Sequence, residues 1–176
     1  MLPLILIAAA VIVLVLLIVV ALQPSQYTVA RSIHIAASPS VVFPHLNNLR
    51  ATTVWSPWLK LDPAAKQTFE GPDAGVGSVN AWDGNKSVGA GRQTIIESDP
   101  DRRVVIKLEF FRPFAAVCQT SYNLAPENHG TRVTWDIHGK NNFLAKAFSL
   151  VMSCEKMLGG PFEEGLANLK RLVERG

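Results

Sequence analysis

From Asn142 to Glu174 the apolar residues Phe143, Ala147, Leu150, Val151, Cys154, Met157, Leu158, Phe162, Leu166, Leu169 and Val173 recur three or four positions apart. That spacing lays one apolar stripe along a long amphipathic helix. Lys146, Glu155, Lys156, Glu163, Glu164, Lys170 and Arg171 supply its polar face. Gly159-Gly160-Pro161 interrupts the run, and Pro161 has no N–H to give while its ring crowds the preceding turn, so a kink is expected there. A stripe this long has to be covered. The residues before it read as strands, so the cover is a curved sheet.

The other end of the chain constrains it almost as tightly. Leu2 to Leu22 contains no charged residue, and about 20 apolar residues at ~1.5 Å rise each span a bilayer core. A cleaved signal peptide would want a basic start, a shorter apolar core and a small-x-small site. This start has no Lys or Arg, and Val20-Ala21-Leu22-Gln23-Pro24 is a poor site. Residues 1–23 therefore read as an uncleaved single-pass anchor of a cell membrane, and residues 24–176 as one domain. The first basic residue is Arg31, already inside the predicted first strand, so it is a weak orientation signal. With 17 Lys and Arg against 14 Asp and Glu, the net charge is +3. There is no basic run and no aromatic-basic interleaving, which argues against nucleic acid as a partner. A mild attraction to anionic lipid is the most this charge implies. Cys118 and Cys154 are too few for a disulfide framework; both read as buried small hydrophobes, with a bridge between them as the alternative in an oxidising compartment.

Between these ends the domain reads in order. Tyr27 to Ile35 alternates as a first strand. Ser38-Pro39 starts a short helix, with Ser38 at the cap, and a second short helical turn covers Leu49 to Val54 before Trp55-Ser56-Pro57-Trp58 ends it. Six more strands follow: Lys66 to Glu70, Gly77 to Trp82, Ser87 to Glu97, Arg103 to Phe111, Phe114 to Leu124 and Thr131 to His138. Asp83-Gly84-Asn85 is a hairpin signal between two of them. Leu108, Phe110, Val133, Trp135 and Ile137 are the inward positions of their strands.

The order of strand, two short helices, six antiparallel strands and long terminal helix resembles the helix-grip fold of the START-like (SRPBCC) superfamily, the polyketide cyclase/dehydrase and lipid-transport proteins. Ser38-Pro39-Ser40-Val41-Val42-Phe43 resembles that superfamily's first helix start, and Trp55-Ser56-Pro57-Trp58 its helix-to-strand turn. Gly75-Val76-Gly77-Ser78, Gly130-Thr131-Arg132-Val133-Thr134-Trp135 and the run from Glu155-Lys156-Met157-Leu158-Gly159 to Lys170 resemble a strand entry, the last strand and the final helix. The expected class is α+β: a seven-stranded curved antiparallel sheet wrapped on the C-terminal helix, preceded by a transmembrane helix. The resemblance implies a cavity between sheet and helix that holds an apolar ligand. It implies no shared reaction.

The residues themselves add little catalytic chemistry. Asp136 and His138 share the outer face of their strand with Arg132 and Thr134 and read as solvated. His34, His45 and His129 lack partners at any recognisable spacing. No His-x-x-x-His, Cys-x-x-Cys or facing carboxylate pair suggests a metal, and Ser56 and Ser153 have no companion base. Gly84 to Gly91 is glycine-rich but lacks the phosphate-loop ending. No cofactor and no catalytic residue is assigned. The candidate ligand-binding residues are Trp58, Trp82, Leu108, Phe110, Val133, Trp135 and Met157, with Met152 a further adaptable wall. Arg92 and Glu97 are the candidate polar groups at the cavity, with a surface pair as their alternative. The first reading is a membrane-tethered binding or carrier domain for a hydrophobic or lipid-like molecule. The alternatives are a cyclase- or hydratase-type enzyme using the same cavity, and an interaction module whose cavity has closed.

Overall fold

The structure is a computed structural model that describes residues 2–150 and 153–175. Val151, assigned above to the apolar stripe of the terminal helix, and Met152, named as an adaptable wall, lie outside the described residues. The chain opens with α1 (Leu2–Leu22), long and apolar enough to cross a membrane by length and composition, a test that a signal sequence also passes. Seven strands follow: β1 (Gln26–Ile35), β2 (Lys66–Glu70), β3 (Val79–Asp83), β4 (Ala90–Asp99), β5 (Arg103–Arg112), β6 (Ala116–Glu127) and β7 (Gly130–Lys140). They form one antiparallel sheet in the order β1-β7-β6-β5-β4-β3-β2, so the first strand is closed onto the last.

Between β1 and β2 lie α2 (Pro39–Val42), α3 (Pro44–Asn47), α4 (Leu49–Trp55) and a 3-10 turn at Pro57–Lys60. The expected single helix after Ser38 is split because Pro44 has no N–H with which to continue it. Ser38 stands at the cap position without capping; its hydroxyl meets that of Ser40 at 2.9 Å instead. A side-chain cap appears at the start of α4, where Asn48 Oδ1 accepts from the N–H groups of Arg50 (2.8 Å) and Ala51 (3.1 Å).

The terminal helix is two helices. α5 (Phe143–Ser149) is capped by Asn142, whose Oδ1 accepts from Ala145 N–H at 2.8 Å. α6 (Cys154–Arg175) follows a second start, where the hydroxyl of Ser153 accepts from Lys156 N–H at 3.4 Å. The break therefore falls before Cys154, and α6 runs on through Pro161. Only α6 buries its stripe: Phe162, Leu166, Leu169 and Val173 pack on the sheet, each contributing roughly 1.5–3 kcal/mol by burial. The α5 half of the stripe, Phe143 included, stays exposed.

One inner-face arginine holds α6 in place. Arg31, on β1, binds Glu163 through Nε at 2.6 Å and Glu155 through Nη2. Its guanidinium crosses the helix at Gly159, where any Cβ would strike Nη2. Gly159 thus makes room for the arginine tip and does not end the helix. Beneath α6 the core is aromatic. Trp135 stacks on Phe162 at 4.0 Å and 6°, while Trp55 meets Tyr122 and Trp135 edge-on at 5.8 and 5.6 Å. The Trp135 indole N–H donates to Thr120 Oγ1 at 2.8 Å, and the Trp55 indole N–H to the His45 carbonyl at 3.1 Å.

Candidate ligand-binding site

Register fixes which side chains share the concave face of the sheet. One row across it is Asn80, Gln93, Leu108, Cys118, Gly139 and Tyr27. The next row toward the α1 end contains Trp82, Gly91 and Phe110. At this end two glycines lie beneath aromatic rings. A Cβ on Gly91 would run into the Trp82 ring, and a Cβ on Gly139 would run into the Tyr27 ring. Each ring therefore lies down across a neighbouring strand, which keeps the floor low. Trp82 is pinned there by its indole N–H, which donates to the Val88 carbonyl at 3.1 Å, and by an edge-on contact with Phe110 at 5.7 Å. The result is a run of half-buried apolar side chains on the inner face, Tyr27, Trp82, Leu108 and Phe110, hereafter the trough; Trp58, Cys154 and Leu158 are likewise half-buried against the core.

An amide ladder borders the floor. Asn80 Nδ2 donates to Gln67 Oε1 at 2.8 Å, and Gln93 Nε2 donates to Asn80 Oδ1 at 3.0 Å. These three side chains project inward from β2, β3 and β4 and leave further amide groups for a polar end of a ligand. Burial raises the Tyr27 phenol well above its ordinary value, with the two cysteines beside it adding to the rise. It also pushes the Cys118 thiol up to about 11. Both stay neutral near pH 7, and both cysteines are free thiols.

The seven residues assigned from sequence divide three ways. Trp82, Leu108 and Phe110 come together at the α1 end, half-buried, and Trp58 is half-buried against the core from the turn beside α6. Val133 and Trp135 are buried in the packed core, because Phe162 of α6 covers Trp135. Met157 is turned outward and is 46% exposed, since it lies about a quarter-turn off the inward stripe of Leu158, Phe162, Leu166 and Leu169. Arg92 is on the convex face with Glu109, which its guanidinium and Lys107 hold below the usual carboxylate range, the Lys107 hydrogen bond being the larger cause. Glu97 faces Arg103 at 3.7 Å. Tyr27, Gln67, Asn80 and Gln93 were missed; their signal was alternation on the inward positions, and the cross-strand glycines become visible only with the register.

Two pockets lie elsewhere than the interior between sheet and helix. One, of about 20 Å³, is bounded by Arg50, Phe69 and Ser78; the other is an open groove of about 450 Å³ along α4 and α6, bounded by Val54, Lys60, Asn168 and Arg171. The expected hollow under the middle of the terminal helix is instead filled by Trp55, Tyr122, Trp135 and Phe162. Apolar surface remains available at the α1 end.

The convex face corrects one further expectation. Asp136 is not solvated: it is 7% exposed, its Oδ2 accepts from Ser121 Oγ (2.7 Å) and Asn123 Nδ2 (2.8 Å), and its Oδ1 lies 2.7 Å from His138 Nε2. His138 Nδ1 in turn meets Thr28 Oγ1 at 2.9 Å. Asp136 Oδ1 nevertheless makes no hydrogen bond to the imidazole, so the three groups do not form a nucleophile relay, and neither pocket described above adjoins them. Among the described residues no cluster of His, Cys, Asp or Glu is placed to hold a metal ion.

Fold and trough together define an α+β helix-grip domain with an apolar inner face. The chain belongs to the polyketide cyclase / dehydrase and lipid transport family, which it matches over residues 26–174. That membership supports a domain that binds a hydrophobic ligand. The fold is shared with solved structures of low identity. Protein CV1439 from Chromobacterium violaceum has 18% identity and a TM-score of 0.60, over 86% of this chain and 99% of that one. Protein Ms6760 from Mycobacterium smegmatis has 19% identity and a TM-score of 0.58, over 84% and 91%. The Aha1 dimer from Colwellia psychrerythraea has 16% identity and a TM-score of 0.57, over 84% and 96%. A comparison with curated proteins finds no match.

Proposed function

We propose that this chain is a membrane-tethered binding or carrier domain that takes up a lipid-like molecule in the trough at the α1 end of its sheet. The observation that carries the reading is the lowered aromatic floor. Tyr27 over Gly139 and Trp82 over Gly91 leave apolar side chains half-buried where a sheet of larger residues would have filled the space. A ligand with an apolar body would cover that floor, and one polar end would meet Gln93 or Gln67. The residues around the trough are amides, thiols, a neutral phenol and hydrocarbon, a set suited to holding a ligand more than to moving protons. Tethering serves such a role because a sparingly soluble molecule is met at the bilayer, where an anchor concentrates the domain.

The test is a titration of the full chain, held in amphipol, with a dansyl-labelled fatty acid, following energy transfer from tryptophan. Saturable transfer is expected, and Leu108→Trp, which fills the floor, should abolish it. Transfer that never saturates, or that survives Leu108→Trp unchanged in a folded protein, overturns the proposal.

A further inference from the structure

Exposed apolar side chains usually stand singly. Outside α1, every exposed phenylalanine among the described residues is at one end of this fold. Phe111 and Phe114 project from the β5–β6 hairpin, Phe143 and Phe148 from α5, and Phe114 and the neighbouring Leu144 of α5 are 79% and 74% exposed. The register brings the two groups to the same edge of the sheet. Cys118 of β6 faces Gly139, and the next β7 residue, Lys140, faces Gln26 at the start of β1. The hairpin tip and α5 therefore both lie beyond the row where β1 leaves α1.

α1 is fastened to this same end. Asn141 N–H donates to the Ser25 carbonyl at 2.9 Å, Asn141 Nδ2 to the Pro24 carbonyl at 3.3 Å, and Lys146 Nζ to the Ala21 carbonyl at 3.2 Å. Val20, in the last turn of α1 where α5 packs, is 7% exposed. At ~1.5 Å rise per residue, Val20 lies only about 3 Å inside the end of the helix. A bilayer that accepts α1 as far as Leu22 consequently reaches α5. The link from Gln23 to Ser25 spans at most about 10 Å, little more than a headgroup layer some 5–8 Å deep, and its Pro24 and Ser25 carbonyls are held by Asn141 at this same edge. Lys140 and Lys146 stand at this edge outside every ion pair among the described residues. Aromatic rings beside lysines are the composition that an interface between hydrocarbon and anionic headgroups favours.

We infer that α5 and the β5–β6 hairpin are a membrane-docking surface, seated in the headgroup–acyl boundary of the bilayer that α1 spans, with the trough opening toward lipid. This rests on the reading of α1 as an anchor. In this arrangement the half of the terminal stripe that leaves the sheet is not wasted: α5 turns its apolar residues to lipid, while α6 turns its own to the core.

The test uses the full chain carrying Cys118→Ala and Cys154→Ala, with Phe114→Cys, Phe148→Cys or, at the opposite end of the sheet, Asp73→Cys labelled with NBD. Each protein is reconstituted in phosphatidylcholine–phosphatidylglycerol vesicles containing a lipid with a doxyl group high on its acyl chain. The labels at 114 and 148 should shift their emission to the blue and lose intensity to the doxyl lipid, while the label at 73 keeps the emission of water. Watery emission from 114 and 148, in a chain that resists alkaline carbonate, overturns docking and leaves the anchor standing. A chain washed off by carbonate overturns the anchor and the docking with it. Labels that are shielded without doxyl quenching, and more so as protein crowds the vesicle, place a second copy on this surface and overturn the proposal.

Discussion

Gly139→Ala tests whether the aromatic floor is held down by its glycines. The three atoms nearest the new Cβ are Cε1, Cζ and Oη of Tyr27, all in one side chain and none in the backbone. The ring has to retreat by roughly 1 Å to recover an ordinary ~3.5 Å contact. Overpacking of that size costs about 1–3 kcal/mol. With Tyr27→Ala made first the obstacle is gone, and alanine replaces glycine in a strand with a gain of about 0.5–1 kcal/mol. The two substitutions should therefore couple by about 2 kcal/mol, with Gly139→Ala destabilising alone and neutral to stabilising in the second background. Urea unfolding of the four proteins in detergent micelles, followed by tryptophan fluorescence, measures the cycle. A coupling below about 0.5 kcal/mol, within the scatter of independent sites, would refute the picture of Tyr27 lying on Gly139. The same substitution, by raising the ring, should weaken uptake of the dansyl fatty acid.

Phe162→Ala removes the ring stacked on Trp135 at 4.0 Å and should cost about 3–5 kcal/mol, lowering the melting temperature by roughly 10 °C; Phe162→Leu should cost clearly less, and equal losses would argue against the stack. Glu174 accepts a hydrogen bond from Ala36 N–H at 2.8 Å, which lowers its carboxyl below the usual range, with Lys170 assisting. A depressed folded value stabilises above the unfolded one, about 4.3, and is lost as pH falls through the folded value. Wild type should thus exceed Glu174→Gln in urea midpoint at pH 7, and the gap should close in acid; a gap independent of pH contradicts this origin. Burial pushes the Cys118 thiol up to about 11, so in a Cys154→Ser chain it should scarcely react with Ellman's reagent at neutral pH until urea unfolds the domain; rapid reaction of the folded chain would place Cys118 at the surface.

Most of the sheet could be read from the chain because alternation on β5 and β7 shows which residues point inward, and inward positions have to be apolar. Strand ends differ from the expected ones by up to three residues, β3, β4 and β6 starting later and several strands ending later; β6, for example, runs on to Glu127 because each of its residues there finds a partner on β7. The terminal helix was legible as a stripe but not as two helices. Periodicity is indifferent to a change of axis, and the glycines and proline at 159–161 drew attention from Ser153, a cap residue ahead of an apolar run. Gly159 answers to Arg31, and that contact between β1 and α6 joins residues more than a hundred positions apart.

The trough was only half legible for a related reason. An inward position on a strand can belong either to the core or to an open wall, and what decides is whether the helix above reaches it. Trp135 and Phe110 have the same sequence signature; α6 lays Phe162 on the first and leaves the second half-exposed. The division follows from where α6 begins. Had the helix continued unbroken from Asn142, Phe143 and Ala147 would have been carried over the α1 end of the sheet to cover Trp82 and Phe110. The break at Ser153 and the turn of α5 toward α1 leave that floor uncovered. One local event thus accounts for both the open trough and the exposed phenylalanines of α5, and a variant that rejoined the two helices should lose ligand uptake and membrane docking together.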